Sequence, residues 1–244
     1  MKLGIDMGGM SIKMGLVNEE NKIIGRITIP TDLTVPYQTL VERMADAVRQ
    51  MLENAGMTLE QCGGIGIGSP GTIDAKQGVI LYSNNFGWEN VPIVEELKKH
   101  LDTRIEIAND ADAAALGEVC AGAAEGAENA VLLTLGTGVG SGVILDKKIF
   151  RGAMPGGCEL GHLSIRYDGI RCTCGRKGCL EAYASASALL RIAREKAADH
   201  PESIMNEMCG NDLEQMNGKI PFDAAKAGDE AGMETVKEYE GYLA

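Results

Sequence analysis

The sequence predicts an α/β protein of two lobes separated by a central cleft, and three observations carry that expectation. Short β-prone runs at 2–6 (KLGID), 12–17 (IKMGLV) and 22–29 (KIIGRITI) are joined by glycine-rich or Asn-Glu turns, the pattern of an antiparallel meander. A second meander begins near Ala130, where AVLLTLG, the turn GTGVGSG and VILD repeat the first. Helical sequence follows each of them. The repetition implies a duplicated unit, with lobes at 1–112 and 113–244 and the substrate between them.

The intervening elements follow from spacing. Leu40, Val41, Met44, Val48, Met51 and Leu52 recur at helical intervals within 36–55, and Gly56 stands where a C-terminal cap belongs. The run GGIGIGSPG at 63–71 reads as a buried strand breaking into a turn, and RIEIAND at 104–110 as a strand feeding an Ala-rich helix. Open α/β sheets bind ligands at the carboxyl ends of their strands, so both ends are candidate site positions. From 181 onward the pattern is helical, with Ala-rich stretches at 181–198 and 222–241 and no further strand before Ala244.

Composition narrows the function classes. At 244 residues, 45% hydrophobic and 24% charged, the chain can bury a sizeable core. Its 32 glycines are roughly twice the ordinary ~7% share, and their clustering in short runs favours tight functional turns over linkers. A net charge of -12 opposes a surface built to neutralise a phosphate backbone, so nucleic acid is not an expected partner. No stretch approaches the ~20 apolar residues of a membrane span and Met1 leads straight into a strand pattern, so no membrane partner and a cytoplasmic location are expected.

Seven cysteines, three of them crowded into Cys172–Cys179, suit metal ligation in a reducing compartment better than a disulfide framework. Cys62, Cys120, Cys158 and Cys209 read as packing residues. His162, Cys172, Cys174 and Cys179 are separated by nine, one and four residues, a Cys3His set of the kind that holds a structural Zn2+. Gly175 and Gly178 let the chain turn back so that Cys174 and Cys179 face one ion. The zinc loop is placed at 158–181. The bland alternative is three free thiols, but the segment has few large apolar residues to order it without metal.

Two glycine turns suit phosphate. In Asp6-Met7-Gly8-Gly9-Met10-Ser11-Ile12-Lys13, backbone N–H groups at a hairpin can cradle phosphate oxygens while Asp6 holds Mg2+ directly or through water. Gly136-Thr137-Gly138-Val139-Gly140-Ser141-Gly142 repeats the arrangement, and a facing pair of such hairpins describes a nucleotide clamp. Singly, each is also compatible with an ordinary turn, and neither is a Walker-type loop. Asn109-Asp110 ends a strand, where the carboxylate can accept a proton from an attacking hydroxyl; an Asx helix cap is the competing reading. Glu159, His162 and Glu181 bracket the cysteines, a grouping of acceptors that suits a hydroxyl-rich ligand.

These residues resemble the ROK family of bacterial sugar kinases and repressors, within the actin-like ATPase superfamily. Glu159-Leu160-Gly161-His162 followed by Cys172-Thr173-Cys174-Gly175-Arg176-Lys177-Gly178-Cys179-Leu180-Glu181 is similar to the family pattern E-x-G-H, then C-x-C-G-x-x-G-C-x-E, at every defined position. The likeness extends to the first phosphate loop, Gly68-Ser69-Pro70-Gly71, Asn85-Phe86-Gly87-Trp88, Asn109-Asp110 and the second phosphate loop. The resemblance implies a ribonuclease H-like two-lobe fold and ATP-dependent phosphorylation of a hexose, with glucose first and N-acetylglucosamine, N-acetylmannosamine or fructose as alternatives. It makes Asp110 the catalytic base and gives the hexose to Gly71, Asn85, Asn109, Asp110, Glu159, His162 and Glu181. ATP and Mg2+ fall to Asp6, Gly8, Gly9, Ser11, Lys13, Gly136, Thr137 and Gly138. His162 serves twice, ligating zinc through one nitrogen and offering the other to sugar. A homodimer is implied.

Two departures qualify the resemblance. The family loop reads D-x-G-G-T-x-x-K, and Met10 stands at the threonine, with Ser11 the nearest hydroxyl. Family members also run some tens of residues further, through a Gly-Gly adenosine loop and a final helix, so the second lobe is expected to lack its last strands and final helix. A sugar-binding remnant without turnover is therefore a further alternative. A sugar-sensing repressor is disfavoured, because the phosphate loop starts at Asp6 with no winged helix before it.

Overall fold

The computed structural model describes residues 1–153 and 158–244. The first meander is present as β1 (Lys2–Met7), β2 (Ser11–Val17) and β3 (Ile23–Pro30). In β1 the alternation of Leu3, Ile5 and Met7 with Lys2, Gly4 and Asp6 has the two-residue period of a strand, and the apolar set is buried. Helix α1 (Tyr37–Asn54) buries Leu40, Val41, Met44, Val48, Met51 and Leu52 in the same core, each contributing roughly 1.5–3 kcal/mol. It ends as the sequence requires. Gly56 has φ +64°, its N–H donates to the Glu53 carbonyl, and the Met57 N–H returns to Leu52, both at 2.9 Å.

Next, β4 (Ile65–Ser69) pairs parallel with β1. A small antiparallel sheet of β5 (Thr72–Asp74), β6 (Val79–Ser83) and β7 (Trp88–Val91) follows, then α2 (Ile93–Lys98). Sequence reading did not anticipate this sheet, whose strands are too short to show a period. β8 (Ile105–Asn109) pairs parallel with β4 and feeds α3 (Asp110–Ala121), completing a sheet ordered β3-β2-β1-β4-β8. The second meander, β9 (Ala130–Leu135), β10 (Val139–Leu145) and β11 (Lys148–Ile149), makes a sheet ordered β11-β10-β9. Helices α4 (Glu181–Ala184), α5 (Ala186–Asp199), α6 (Ile204–Met208), α7 (Ile220–Lys226) and α8 (Glu230–Leu243) complete the chain.

Two compact units emerge, Met1–Leu132 with Gly142–Cys158, and Leu133–Ser141 with Glu159–Ala244. The tip of the β9–β10 hairpin thus belongs with the second unit, and its stem, together with all of α3, with the first. The first unit's core centres on the α1 face of the large sheet. The second is helical, with Ala193, Ala197, Met205, Ile220, Ala224 and Ala231 in one cluster and Leu189, Ile192 and Tyr239 in another. Cys62 and Cys209 are packing residues as expected, whereas Cys120 is exposed, because α3 turns Ala111, Ala115 and Val119 inward instead. No helix among the described residues is long and apolar enough to cross a membrane.

Candidate functional site

In the first unit, parallel pairing of β1, β4 and β8 brings three predicted loops to one edge of the sheet. Asp6 pairs with Gly68, and Ser69 with Asn109, so the Asp6–Ser11 turn, the Ser69–Gly71 turn and Asn109-Asp110 start from adjacent strand ends. Asp6 also faces Lys13 across β1 and β2, and Asp6, Lys13, Gly68 and Asp110 all line a cavity of about 1110 Å³.

Local chemistry shapes each turn. The Gly8 N–H donates to the Ser11 carbonyl at 3.0 Å, and a Cβ on Gly8 would sit 2.9 Å from that same oxygen. A Cβ on Gly9 would lie 4.0 Å from Asn85 Nδ2, which places Asn85 beside this loop. Met10 is 90% exposed. Thr31, which sequence reasoning missed, donates its hydroxyl to the Gly8 carbonyl at 2.6 Å and its N–H to Met10 at 3.1 Å. At Gly71 the backbone has φ +112°, and a Cβ would run into the Tyr82 carbonyl.

The helix-cap reading of Asn109-Asp110 is met by Asn109. Asn109 is the cap of α3, its Oδ1 accepting the N–H groups of Ala111 and Asp112 at 2.9 and 3.3 Å while Nδ2 donates to the Gly71 carbonyl at 3.2 Å. Asp110 opens the helix with an exposed carboxylate, whose Oδ1 accepts the Ala111 N–H at 2.9 Å. Two residues along, buried Asp112 accepts from Arg151 Nε at 3.2 Å. Burial raises the proton affinity of Asp112, and Arg151 opposes that rise. No short-range sequence signal marks this pair, since its members are 39 residues apart.

In the second unit the cysteine loop closes as predicted. Gly175 and Gly178 have φ +89° and +75°, and a Cβ on Gly178 would collide with the Arg166 carbonyl. The donor atoms of His162, Cys172, Cys174 and Cys179 all lie within 4.8 Å of one another. His162 Nδ1 is 3.7 Å from Cys172 Sγ, and Cys174 Sγ is 3.6 Å from Cys179 Sγ. A tetrahedral ion with ligands at ~2.0–2.3 Å spaces its donors by roughly 3.3–3.8 Å, so the donor set and these two distances fit. The inward nitrogen of His162 is Nδ1. The Arg176 backbone N–H and guanidinium draw exposed Cys174 down to about 6, and burial pushes Cys179 up to about 11.

Glu181 joins this loop to the glycine hairpin. Its Oε2 accepts the Val139 N–H at 3.0 Å, and its Oε1 accepts from Thr173 Oγ1 at 3.1 Å and lies 3.4 Å from Cys172 Sγ. The hairpin tip is further held by Ala186 N–H to the Gly136 carbonyl at 2.8 Å and Ser187 Oγ to the Thr137 carbonyl at 3.0 Å. Glu159 lies just before the short 3-10 turn Leu160–His162, exposed at its N-terminus.

Residues 2–244, effectively the whole chain, match the ROK family. The chain belongs to the ROK family. A glucokinase of Thermotoga maritima is 38% identical over 228 residues, 93% of this chain and 70% of that protein. The ROK glucokinase of Streptomyces griseus, solved in complex with glucose and AMPPNP, superposes with a TM-score of 0.75 at 31% identity, covering 99% of this chain and 76% of that one. The ROK hexokinase of Thermus thermophilus gives 0.79 at 31%, covering 99% and 74%. Within this ROK protein, the family pattern is carried by elements whose geometry has a local cause: positive-φ glycines, a capped helix and a four-donor loop.

Proposed function

We propose that this ROK protein transfers the γ-phosphoryl group of ATP to a hexose hydroxyl, with glucose the preferred acceptor. The single observation that supports it most is Asp110, an exposed carboxylate at the carboxyl end of β8 that lines one cavity with Asp6 and Lys13. In this reading Asp110 takes the proton of the attacking hydroxyl. Asn109 fixes Asp110 by capping its helix and fixes Gly71 by its amide, so that Gly71, Asn85 and Asn109 serve hexose recognition in the first unit. Glu159, His162 and Glu181 serve it in the second, with His162 Nε2 the nitrogen left for a sugar hydroxyl.

Phosphate oxygens are assigned to Gly8, Gly9, Ser11 and Lys13, and to Gly136, Thr137 and Gly138. Asp6 is the residue that would hold Mg2+, which when bound neutralises charge on the phosphates. His162, Cys172, Cys174 and Cys179 fit a structural Zn2+, which when bound pins the loop; four protein ligands leave no open position for a catalytic water. An actin-like ATPase architecture and a homodimer, as the family resemblance implies, belong to the same reading, as does the cytoplasmic location expected from the sequence.

A coupled assay with glucose, N-acetylglucosamine, N-acetylmannosamine and fructose tests the reaction and ranks the sugars. Asp110→Asn should lower kcat by at least ~10²-fold. Equal rates in wild type and variant would remove Asp110 from the mechanism. A second reading, sugar binding without turnover, draws support from Met10, which puts an exposed thioether where the family pattern has a threonine. Calorimetric binding of glucose with no binding of ATP would establish it in place of the first.

A further inference from the structure

We infer that Glu181 is a positioning residue that ties the glycine hairpin at Gly136–Ser141 to the cysteine loop, so that metal in the loop sets the geometry of the hairpin. The inference rests on the reading of that hairpin as a phosphate-binding turn, and it adds a role that hexose recognition does not require.

Both oxygens of the carboxylate are committed within the second unit. Oε2 receives the N–H of Val139, a residue only 5% exposed, where water is a poor substitute partner. Oε1 receives the hydroxyl of Thr173, which lies between the ligand-type residues Cys172 and Cys174. A metal that fixes those two cysteines therefore fixes Thr173, then Glu181, then Val139. The fit at the other end is close: a Cβ on Gly138 would collide with Glu181 Oε2, and one on Gly161 with the Val139 carbonyl. Leu160 N–H donates to Ser141 Oγ at 2.8 Å, so the turn that precedes His162 also rests on the hairpin.

The test reads nucleotide binding with no sugar present, where a residue that only held sugar would be silent. In the metal-loaded protein, Glu181→Ala should weaken ATP binding about tenfold. Thr173→Val removes the hydroxyl donor at the loop end of the bridge, leaving the Cys172 contact, and should weaken ATP several-fold at unchanged zinc content. Hydrogen exchange at the Val139 amide supplies a readout independent of nucleotide. Chelation should accelerate it at least tenfold in wild type and cause no further acceleration in Glu181→Ala. Unchanged ATP affinity and unchanged Val139 exchange in both variants would overturn the inference. Absence of ATP binding in wild type would instead count against the phosphate reading, and the exchange data would still decide whether Glu181 bridges the loops.

Discussion

Asn109 donates from Nδ2 to the Gly71 carbonyl at 3.2 Å, which fixes the turn after β4 to the residue that caps α3. One side chain thereby holds two of the predicted sugar ligands and the first turn of the helix that carries Asp110. Asn109→Asp keeps the capping acceptor and loses the donor. It should unfold within ~0.5 kcal/mol of wild type in urea while raising the hexose KM, whereas Asn109→Ala should lose about 1 kcal/mol of stability as well. A hexose KM unaltered in both variants would dissociate this bond from sugar recognition.

Gly71→Ala should be among the most damaging single changes in the first unit. Its φ of +112° is strained for any L side chain, and the added methyl would meet the Tyr82 backbone carbonyl, which cannot move aside as a flexible side chain would. A loss of roughly 2–4 kcal/mol is expected from the urea midpoint. Gly87→Ala, with φ +64° and open space around the new Cβ, is the control and should cost about 1 kcal/mol.

What the sequence showed, and what it hid, follow from the range of the forces involved. Gly56, Gly71, Gly175 and Gly178 all adopt positive φ, and their need for glycine is local, hence visible in a linear string. The long helix at 37–54 and the four metal-type donors were legible for the same reason, through fixed spacing. The sheet of β5, β6 and β7 was not, since strands of three to five residues carry no readable period. Nor were Thr31 against Gly8 or Arg151 against Asp112, pairs separated by 23 and 39 positions that only the folded chain brings together. Glu181 was legible as an acceptor near the cysteines but not as the partner of Val139, 42 positions away.

Met10 is the departure from the family pattern with the clearest remedy. Its side chain is 90% exposed in the turn between β1 and β2, so Met10→Thr should leave stability within ~0.5 kcal/mol. The restored hydroxyl adds a donor beside the Gly8 and Gly9 amides. An ATP KM several-fold lower at unchanged hexose KM is the expected result, and an unchanged or higher ATP KM would show that Ser11 already fills the role.

Arg151 and Asp112 give the first unit a pH dependence whose sign can be worked out. Burial, the larger effect, raises the proton affinity of Asp112 above that of an ordinary carboxylate, and Arg151 only partly offsets it. The folded chain therefore holds that proton to higher pH than the unfolded chain does. As pH rises past the usual carboxylate range the unfolded state ionises first, so stability is lost through that window and the loss is complete above the folded value. Asp112→Asn cannot ionise, so its urea midpoint should gain on wild type between about pH 4 and pH 7. Arg151→Met should do the opposite. It removes the cation at 3.2 Å and leaves the buried carboxylate unpaired, costing about 1–2 kcal/mol near pH 7 once the 38% exposure of the arginine side chain is allowed for. The cost should fade toward pH 4 as Asp112 takes up its proton, and the double variant should not show it. A penalty in Arg151→Met that is equal at both pH values would mean that the arginine acts by packing, and that the charge on Asp112 does not set the stability of the α3 turn beside Asp110.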